Sequence, residues 1–417
     1  MLKPQRFSFT SNSLSKRDYL LSLLNIVLGK SKSHKEKVTG ILGEYFKVKK
    51  EQLFFFGAAR MSVYSLLKSM NLGPKDEVLV AGYTCVVLTN AIKFAGCAIR
   101  YVDIELQNFN PSINSLLDAI RPETKVIIVS HNFGLPTNDI SRIKAEHPEI
   151  IVVEDVAHSL GSTFKSGELC GKAGDAAFFS LEYSKPISCG LGGILLINNY
   201  SLVREFTDRY KQLGFADSLM TWKIILTLGA LNLWSFKWTS IFQSASIRLL
   251  SLLGLRYATS QKEIKGELPD NYPVRLSPNL FCFLLPQLEK LDRINAQKKT
   301  IAEFYKSELS LFEDIQSLDI YDSILIRYPI LFKPNVSLNV VNAIKAESRK
   351  KGFVFGEWFN DVVHPKGSFR YGYEPGMCPN GEFVAARIAN LPVNVNRKVS
   401  QSDMDEIKEI FKRQGIK

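Results

Sequence analysis

The chain has 417 residues, 53 Lys and Arg, 41 Asp and Glu, and a formal net charge of +12. Its hydrophobic fraction of 46% and aromatic fraction of 11% exclude a largely disordered protein, because disordered chains bury too little apolar surface to offset the entropy of ordering. Six scattered cysteines without a CxxC pair exclude a disulfide-built domain, argue against a zinc site and favour a reduced, intracellular compartment.

The length predicts two or three structural units, at about 100–200 residues each. We divide the chain into a basic N-terminal segment at 1–50, a large domain at 51–265 and a smaller C-terminal α+β domain at 266–417. The first residues lack the cleavage site of a signal peptide, and no run reaches the roughly 18 uncharged apolar residues of a membrane-spanning helix. We therefore expect a cytoplasmic protein, at most peripheral on the inner face of the membrane.

The N-terminal segment is strongly basic. Residues 1–50 hold eleven Lys and Arg against three acidic residues, and so carry eight of the twelve net positive charges. Such a patch can face phosphates, anionic lipid or nucleic acid, or can be a solvated helix surface. Because no nucleic-acid-binding motif accompanies it, we expect no nucleic-acid partner.

Short apolar runs alternate with helix-like segments from Phe54 to about Asn199. The runs are continuous in Val, Ile, Leu and Phe, as in strands buried on both faces of a mostly parallel sheet. They predict strands at 77–82, 98–104, 125–131, 150–156, 175–181 and 192–198, with helices at 62–70, 89–96 and 112–120 between them. This alternation predicts a doubly wound α/β domain.

In such a domain, ligands bind beyond the carboxyl ends of the strands. The residues that follow the predicted strands are therefore the candidate site residues. They are Thr84, Cys85, His131, Asp155, His158, Ser180 and Lys185.

The segment 219–256 differs from its surroundings. It is apolar, contains three tryptophans, and lies within a stretch, 218–262, that has five basic residues and no acidic one. Tryptophan with Lys and Arg on an apolar helix is typical of a helix in a membrane interface. A buried hairpin or an oligomer contact explains the same residues, because aromatic stripes usually belong to cores.

The C-terminal part returns to ordinary composition. The residues at 284–309 predict one long amphipathic helix. Those at 323–332 and the region to 417 predict the smaller α+β domain, which ends in a helix at 402–414.

Four motifs occur in one order along the chain. They are AARMSVYSLLKSMNLGPKDEVLVAGYTC at 58–85, SHNFGLP at 130–136, VVEDVAHSLGS at 152–162 and GDAAFFSLEYSKPISCGLGG at 174–193. Together they resemble the DegT/DnrJ/EryC1/StrS family of sugar aminotransferases, which have the aspartate aminotransferase fold (fold type I) and use pyridoxal 5′-phosphate. Weaker matches at 287–305 and 387–407 extend the resemblance over about residues 50–415. It implies that 219–256 is an insertion.

The resemblance implies that Lys185 carries the cofactor. The family places this lysine five residues after a serine and before a glycine-rich turn, positions that Ser180, Lys185 and the turn at 190–193 occupy here. The chemistry needs a primary amine that condenses with the cofactor aldehyde and then moves a proton.

The resemblance also assigns Asp155 and His158. Asp155 occupies the position of the family's aspartate, whose carboxylate faces the pyridine nitrogen and favours the protonated ring. An aspartate after a strand is alternatively a helix N-cap. His158 occupies a position that the family fills with Gln or His, near the ring face or the phenolic oxygen. A structural histidine is the alternative.

The remaining cofactor contacts depart from the family pattern. Ala59 and Arg60 match the turn that holds the cofactor phosphate through backbone N–H groups, with Ala59 in place of glycine and with Ser180 adding its hydroxyl. Cys85 stands where the family has an aromatic residue stacked on the ring, which leaves Tyr83 or His158 to stack. Leu191 replaces the usual acidic residue of the glycine turn.

The resemblance implies a homodimer that transfers an amino group, with glutamate as donor, to a keto group of a nucleotide-activated sugar in surface polysaccharide or related glycan biosynthesis. Arg275 is the candidate contact from the partner subunit. A pyridoxal-phosphate-dependent sugar dehydratase of the same family is one alternative, but such members usually replace the lysine with histidine. A membrane-associated, non-catalytic scaffold is another, but it leaves Lys185 and Asp155 unexplained.

Overall fold

The structure is a computed structural model, which describes residues 6, 9–10, 13–234, 240–321, 323–396 and 398–417. Lys237 and Trp238 of the segment 219–256, and Lys3 of the basic segment, lie outside the described residues.

The N-terminal segment folds onto the large domain. It forms helices α1 (Lys16–Val27) and α2 (Ser31–Phe46). Ser15 caps α1, because its hydroxyl accepts a hydrogen bond from the Asp18 backbone N–H at 3.1 Å. The apolar faces of both helices are buried in the same core as the central sheet, and contribute Tyr19, Val38, Leu42 and Phe46.

A seven-stranded sheet forms the centre of the large domain and confirms the predicted α/β class. Its strands run in the order β1-β8-β7-β6-β5-β2-β4, and β8 is antiparallel to both of its neighbours while the other pairs are parallel. The first eight strands are β1 (Leu53–Phe56), β2 (Glu77–Ala81), β3 (Thr84–Cys85, outside the sheet), β4 (Ala98–Val102), β5 (Thr124–Ser130), β6 (Ile151–Asp155), β7 (Ala176–Ser180) and β8 (Gly193–Ile197). The six predicted strands are present, within two residues at each end.

The helices that follow in the large domain are α3 (Ala59–Ser69), α4 (Val86–Ala95), α5 (Ile113–Asp118), α6 (Ile140–Glu146) and α7 (Tyr200–Gln212). The three predicted helices are α3, α4 and α5. Helix α4 ends at Gly96, which is left-handed with φ +95°, and the Ser112 side chain caps α5.

The segment 219–256 forms two helices with different surroundings. The first, α8 (Ser218–Leu233), is buried in the large-domain core through Ile224, Ile225 and Leu228. The second, α9 (Ser240–Leu252), and the turn after it leave Leu249, Leu252 and Leu253 exposed, and a short helix α10 (Gln261–Ile264) follows. Within the described residues, no helix is both long and apolar enough to cross a membrane.

The predicted single helix at 284–309 is wrong: the chain forms α11 (Phe281–Leu288) and α12 (Leu291–Leu309). The break follows a change of environment, because α11 is almost wholly buried whereas α12 is buried along one face. Lys290 leaves helical geometry at this joint, and its Nζ pairs with the Asp18 carboxylate at 2.8 Å.

The small domain contains β9 (Arg327–Leu331), α13 (Leu338–Lys350), β10 (Val363–His364), α14 (Pro379–Arg387), β11 (Ile388–Pro392) and α15 (Gln401–Arg413). Strands β9 and β11 pair antiparallel under the helices. Apolar side chains between Leu276 and Leu291 belong to the large-domain core, whereas those of α12 from Ile301 onward belong to a second core, which also includes Tyr83 and Phe133. The packing therefore changes from one core to the other between Leu291 and Ile301.

One strand of the small domain is attached to the large domain. β10 pairs in parallel with β3, which sets His364 opposite Cys85. This pairing brings small-domain residues to the carboxyl edge of the large sheet, where the site residues were predicted.

Candidate active site

The carboxyl ends of β6 and β7 bring Asp155, Ser180 and the loop of Lys185 together. The two strands are parallel neighbours, with Asp155 opposite Phe178 in the register. Asp155, Ser180, Lys185 and Cys85 are each partly exposed, although most side chains around them are buried. They are therefore accessible at the carboxyl edge of the sheet, where ligands bind in this class of fold.

The loop that carries Lys185 is fixed by hydrogen bonds within itself and to α11. The Lys185 backbone N–H donates to the Glu182 carbonyl at 3.0 Å. The Gln287 amide accepts from the Ser188 N–H at 3.0 Å and donates to the Ser188 carbonyl at 2.7 Å. Burial lowers the pKa of the Lys185 amine. The charges of Glu182, Cys85 and Asp155 act in the opposite direction but do not cancel the effect of burial. A lowered pKa favours the neutral, nucleophilic amine.

Asp155 is the acidic partner near this amine. Its Oδ1 accepts a hydrogen bond from the Ala157 N–H at 3.0 Å within a turn. No helix begins there, so the alternative role of Asp155 as a helix N-cap is wrong. Burial raises the pKa of Asp155, while this hydrogen bond and the charge of Lys185 lower it. The neighbouring Glu154 points to the other face of the strand and is fully engaged, because it contacts His131 Nε2 at 3.0 Å and accepts from the backbone of the loop 171–174.

His158 lies flat against Trp358, a residue of the small domain that sequence reasoning missed. The two rings are stacked, with centroids 5.1 Å apart and an interplanar angle of 11°. Burial, together with the charges of Lys185 and Arg327, holds the pKa of His158 well below its usual value, so the ring is neutral. Its Nδ1 accepts a hydrogen bond from the Phe133 N–H at 3.3 Å. The Lys185 Nζ lies 4.5 Å from the centroid of the same indole.

Tyr83, one of the two residues expected to stack on the ring, has a structural position. It is fully buried between the domains. Its hydroxyl donates to the Phe359 carbonyl at 3.1 Å and accepts from the Phe359 N–H at 2.6 Å. Cys85 remains at the site beside Lys185, and burial raises the pKa of its thiol. Aromatic surface is thus supplied by His158 and Trp358.

The predicted phosphate end lies where α3 begins. Ala58 is the N-cap of this helix, and its methyl side chain cannot accept a hydrogen bond from the first N–H groups. Gly193 faces Ser180 in the β7–β8 register, and a Cβ built on Gly193 would come within 2.4 Å of the Ala59 nitrogen. Because Gly193 has no side chain, the start of α3 can lie close to β7, the strand that carries Ser180. The first N–H groups of α3 and the Ser180 hydroxyl therefore face the same place, where a phosphate could bind.

Arg60 is engaged by a residue that the motifs did not indicate. Its Nη2 donates to Glu263 Oε2 of α10 at 2.9 Å, and its Nε also pairs with this carboxylate. Both side chains are almost fully buried. Burial opposes the charge of Arg60, but Glu263, Tyr257 and Tyr272 raise its pKa, so it stays protonated. Its charge is therefore already neutralised before any phosphate binds.

Arg275 lies apart from this cluster. Its guanidinium stacks on the Phe215 ring, 4.0 Å from the centroid, and its backbone bridges Phe56 and Phe215. The small domain instead contributes Arg327 and His364, which sequence reasoning did not single out. Burial lowers the pKa of Arg327 to about 9, with Glu182 acting in the opposite sense. Burial and the charges of Arg327 and Lys185 lower the pKa of His364 to about 4.

Comparisons with known proteins identify the family to which the chain is similar. Residues 57–229 and 243–414 match the DegT/DnrJ/EryC1/StrS aminotransferase family. Most of the segment 219–256 lies inside these ranges, and only 230–242 falls between them. The uncharacterized protein MJ1066 of Methanocaldococcus jannaschii is 25% identical over 356 residues, which are 83% of this chain and 81% of that protein.

Solved structures share the fold over nearly the whole chain. Spr1654 of Streptococcus pneumoniae, described as a candidate sugar aminotransferase and solved in its PMP form, is similar with a TM-score of 0.73 at 19% identity, and the likeness covers 98% of this chain and 97% of that chain. The E. coli GDP-4-keto-6-deoxy-D-mannose-3-dehydratase with bound hydrated PLP is similar with a TM-score of 0.69 at 15% identity, covering 98% and 99%.

Proposed function

Since this chain belongs to the DegT/DnrJ/EryC1/StrS aminotransferase family, a family of pyridoxal-phosphate-dependent enzymes, we propose that it transfers an amino group from glutamate to a keto group of a nucleotide-activated sugar. The observation that carries the proposal is the proximity of Lys185, in the loop after β7, to Asp155 at the end of the adjacent parallel strand β6, where the charge of each shifts the pKa of the other. The sugar would serve a surface polysaccharide or a related glycan made from the cytoplasm.

The residues present fit pyridoxal 5′-phosphate, which supplies an aldehyde and an electron sink when bound. Asp155 would hold the proton of the pyridine nitrogen, and its partly exposed carboxylate has one oxygen engaged by Ala157. The N–H groups at the start of α3 and the Ser180 hydroxyl would hold the phosphate. Lys185 would bind the aldehyde carbon and carry protons. His158, uncharged and wedged against Trp358, would orient the ring.

The sugar dehydratase remains the second candidate, because the fold is shared with such an enzyme. Lys185 favours amino transfer, since the family's dehydratases usually have histidine at this position. The scaffold alternative leaves unexplained why Lys185 and Asp155 are close enough for each charge to affect the other's pKa.

A homodimer is part of the proposal. Arg275 supports it: this guanidinium stacks on Phe215 in its own chain, and its buried Nε has no hydrogen-bond acceptor among the described residues. An acceptor on a partner subunit or a ligand held between subunits would satisfy it.

We also propose contact with anionic lipid, through exposed apolar residues on α1 and α9. Both helices contact α8. The exposed residues are Leu20, Leu24 and Val27 on α1, and Leu249, Leu252 and Leu253 on α9 and in the turn after it. Basic residues and no acidic residue occur in 218–262, which suits an anionic leaflet, where each Lys or Arg adds about 1 kcal/mol.

Vesicle flotation tests the lipid contact. The wild type should float with phosphatidylserine vesicles at low salt, and a Leu249/Leu252/Leu253→Gln variant should not. The control is Leu311→Gln, which alters an equally exposed leucine of the small domain. If the wild type fails to float, the lipid proposal is wrong, and a loss of dimer in the triple variant would then assign the surface to the subunit interface.

The catalytic proposal is tested with purified, cofactor-loaded protein. The protein should show the visible absorbance of lysine-bound pyridoxal phosphate, which borohydride removes. It should convert glutamate to 2-oxoglutarate only in the presence of one member of a panel of nucleotide-linked keto-sugars. Deoxygenation of such a sugar without consumption of glutamate-derived nitrogen would favour the dehydratase.

A further inference from the structure

The indole of Trp358 lies over the reactive amine of the site. Lys185 Nζ is 4.5 Å from the centre of the indole, and Trp358 is partly exposed. Pyridoxal phosphate bonds to such an amine through a single carbon outside its pyridine ring. Ordinary bond lengths then place the centre of the pyridine ring about 4 Å from Nζ. A ring held on Lys185 therefore lies beside the indole of Trp358.

The small domain fixes the position of the indole. The Trp358 N–H donates to Asn390 Oδ1 at 2.8 Å, and the Asn390 amide donates to the Trp358 carbonyl at 3.3 Å. Asn390 is fully buried in β11, and its backbone bonds to Gly356 in both directions. The Arg327 Cζ atom lies 3.4 Å from the centre of the indole. Trp358 is therefore held in place by the small domain before any cofactor binds.

Two further rings extend this aromatic surface. The imidazole of His158 lies nearly parallel to the indole, with centroids 5.1 Å apart and an angle of 11° between the planes. The Phe359 ring is 5.9 Å from the His158 ring and 5.9 Å from the Trp358 ring. Aromatic rings pack favourably on other aromatic rings in offset and edge-on arrangements. A pyridine ring suits this surface.

Cys85 offers no aromatic contact of its own. It stands at the position where the resemblance implies an aromatic residue stacked on the cofactor ring. Cys85 and Trp358 pack against the same core. Burial raises the pKa of the Cys85 thiol, and Lys185 is close enough for its charge to oppose this shift. Because a thiol has no ring face, an aromatic contact to the cofactor must come from another residue.

We propose that Trp358 of the small domain is the aromatic side chain against which the pyridine ring of the cofactor packs, in place of the large-domain aromatic residue that Cys85 does not supply. The inference rests on cofactor binding at Lys185, which the proposed function requires, and adds the residue that positions the ring. The bound cofactor then contacts both domains, through Lys185 and Asp155 on one side and Trp358 on the other.

Binding of a cofactor analogue tests this contact without turnover. The probe is 4′-deoxypyridoxine 5′-phosphate, which keeps the ring and the phosphate but has no aldehyde to bond with Lys185. Calorimetry compares its affinity for the cofactor-free forms of the wild type, Trp358→Leu, Trp358→Phe and the double variant Trp358→Leu/Cys85→Phe. The matched control is Trp222→Leu, which changes a tryptophan of α8 that is 45% exposed.

Trp358→Leu should weaken the analogue by roughly 5- to 100-fold, because the ring contact is lost. Trp358→Phe keeps a ring and should lose no more than about threefold. Cys85→Phe should restore the affinity of Trp358→Leu to within about threefold of the wild type, because it returns a ring to the site. Trp222→Leu should bind the analogue as the wild type does.

Three results would overturn the assignment. The first is unchanged affinity of Trp358→Leu for the analogue. The second is a double variant that binds no better than Trp358→Leu, because the two positions would then not serve the same ring. The third is an equal loss of affinity for inorganic phosphate, measured by competition with the analogue, because phosphate has no ring and such a loss would mean that the whole site has changed.

Tryptophan emission gives an independent readout. The chain has four tryptophans, and the other three lie in 219–256. Binding of pyridoxal phosphate should quench a larger share of the emission in the wild type than in Trp358→Phe, because the indole in contact with the cofactor is lost in the variant. If Trp358→Leu does not fold, this comparison decides the question, and equal quenching in the two proteins would overturn the contact.

The proposed function is checked separately by the borohydride-sensitive absorbance of the wild type. If the wild type lacks that band, the aminotransferase proposal fails whatever Trp358 does. If the band is present and Trp358→Leu binds the analogue as the wild type does, the role of Trp358 alone is wrong.

Discussion

Lys298 is a lysine in the interior without a partner, and replacing it should stabilise the protein. It lies on the buried face of α12, four residues after Ile294 and three before Ile301, and is 0% exposed. Its Nζ has no hydrogen-bond partner among the described residues. Burial alone lowers the pKa of Lys298 from 10.5 to about 7. We expect Lys298→Met, which keeps the length and removes the charge, to raise the free energy of unfolding.

The size of the effect follows from the pKa difference. Each pKa unit corresponds to about 1.4 kcal/mol, so the shift of Lys298 amounts to about 5 kcal/mol of cost below pH 7. Between the folded pKa and the unfolded pKa of 10.5, the unfolded chain binds more protons than the folded one, so the stability of the wild type rises with pH. The advantage of Lys298→Met should therefore shrink by about 2 kcal/mol between pH 7 and about pH 9.

Urea unfolding of wild type and variant at both pH values, at fixed protein and cofactor concentration, measures this difference. Lys306→Met is the control, because Lys306 lies on the same helix and is partly exposed. Its effect on the free energy of unfolding should be small and independent of pH. The same stability gain for Lys298→Met at both pH values would refute the idea that Lys298 titrates in this range.

Three variants and one measurement test the site and the assembly. Lys185→Ala should abolish amino transfer and the borohydride-sensitive absorbance while leaving the unfolding curve unchanged; turnover like that of the wild type would contradict the role of Lys185. Asp155→Asn should retain cofactor but lose roughly 10²–10⁴ in rate, because the protonated ring is no longer favoured, and more than half the activity would rule this out. Glu263→Gln leaves Arg60 unpaired, so it should destabilise the cofactor-free protein by about 3–5 kcal/mol and be rescued by pyridoxal phosphate more than the wild type is, as thermal unfolding with and without cofactor would show. Sedimentation should give a particle of two 47.0 kDa chains, and a fully active monomer would exclude active sites that need both subunits.

The sheet was predictable because its strands are continuous apolar runs between turn residues. A strand that is buried on both faces does not need to alternate apolar and polar residues. Strands β5 to β8 are such strands, because their residues are buried almost without interruption. The break between α11 and α12 was not predictable from periodicity. Both pieces are apolar at helical spacing, and only the different burial of the two halves forces the chain to turn at Lys290.

The site was predictable where its residues follow consecutive strands. Lys185 and Asp155 are near neighbours in space because β6 and β7 are adjacent in the sheet as well as in sequence order. Trp358, Arg327 and Glu263 reach the site through tertiary packing of segments far away in the chain. None of them belongs to a local motif, so sequence patterns gave no signal for them.

The two buried arginines near the site differ in their partners. Arg60 has a permanent carboxylate, Glu263, at 2.9 Å and is held protonated by it. Arg327 has no such carboxylate among the described residues, and its pKa is lowered to about 9. A cation with a built-in carboxylate partner recovers part of the cost of its burial, whereas a cation that only stacks on aromatic rings does not. The two arginines therefore differ in how much each one costs the folded state, although both lie beside the same site.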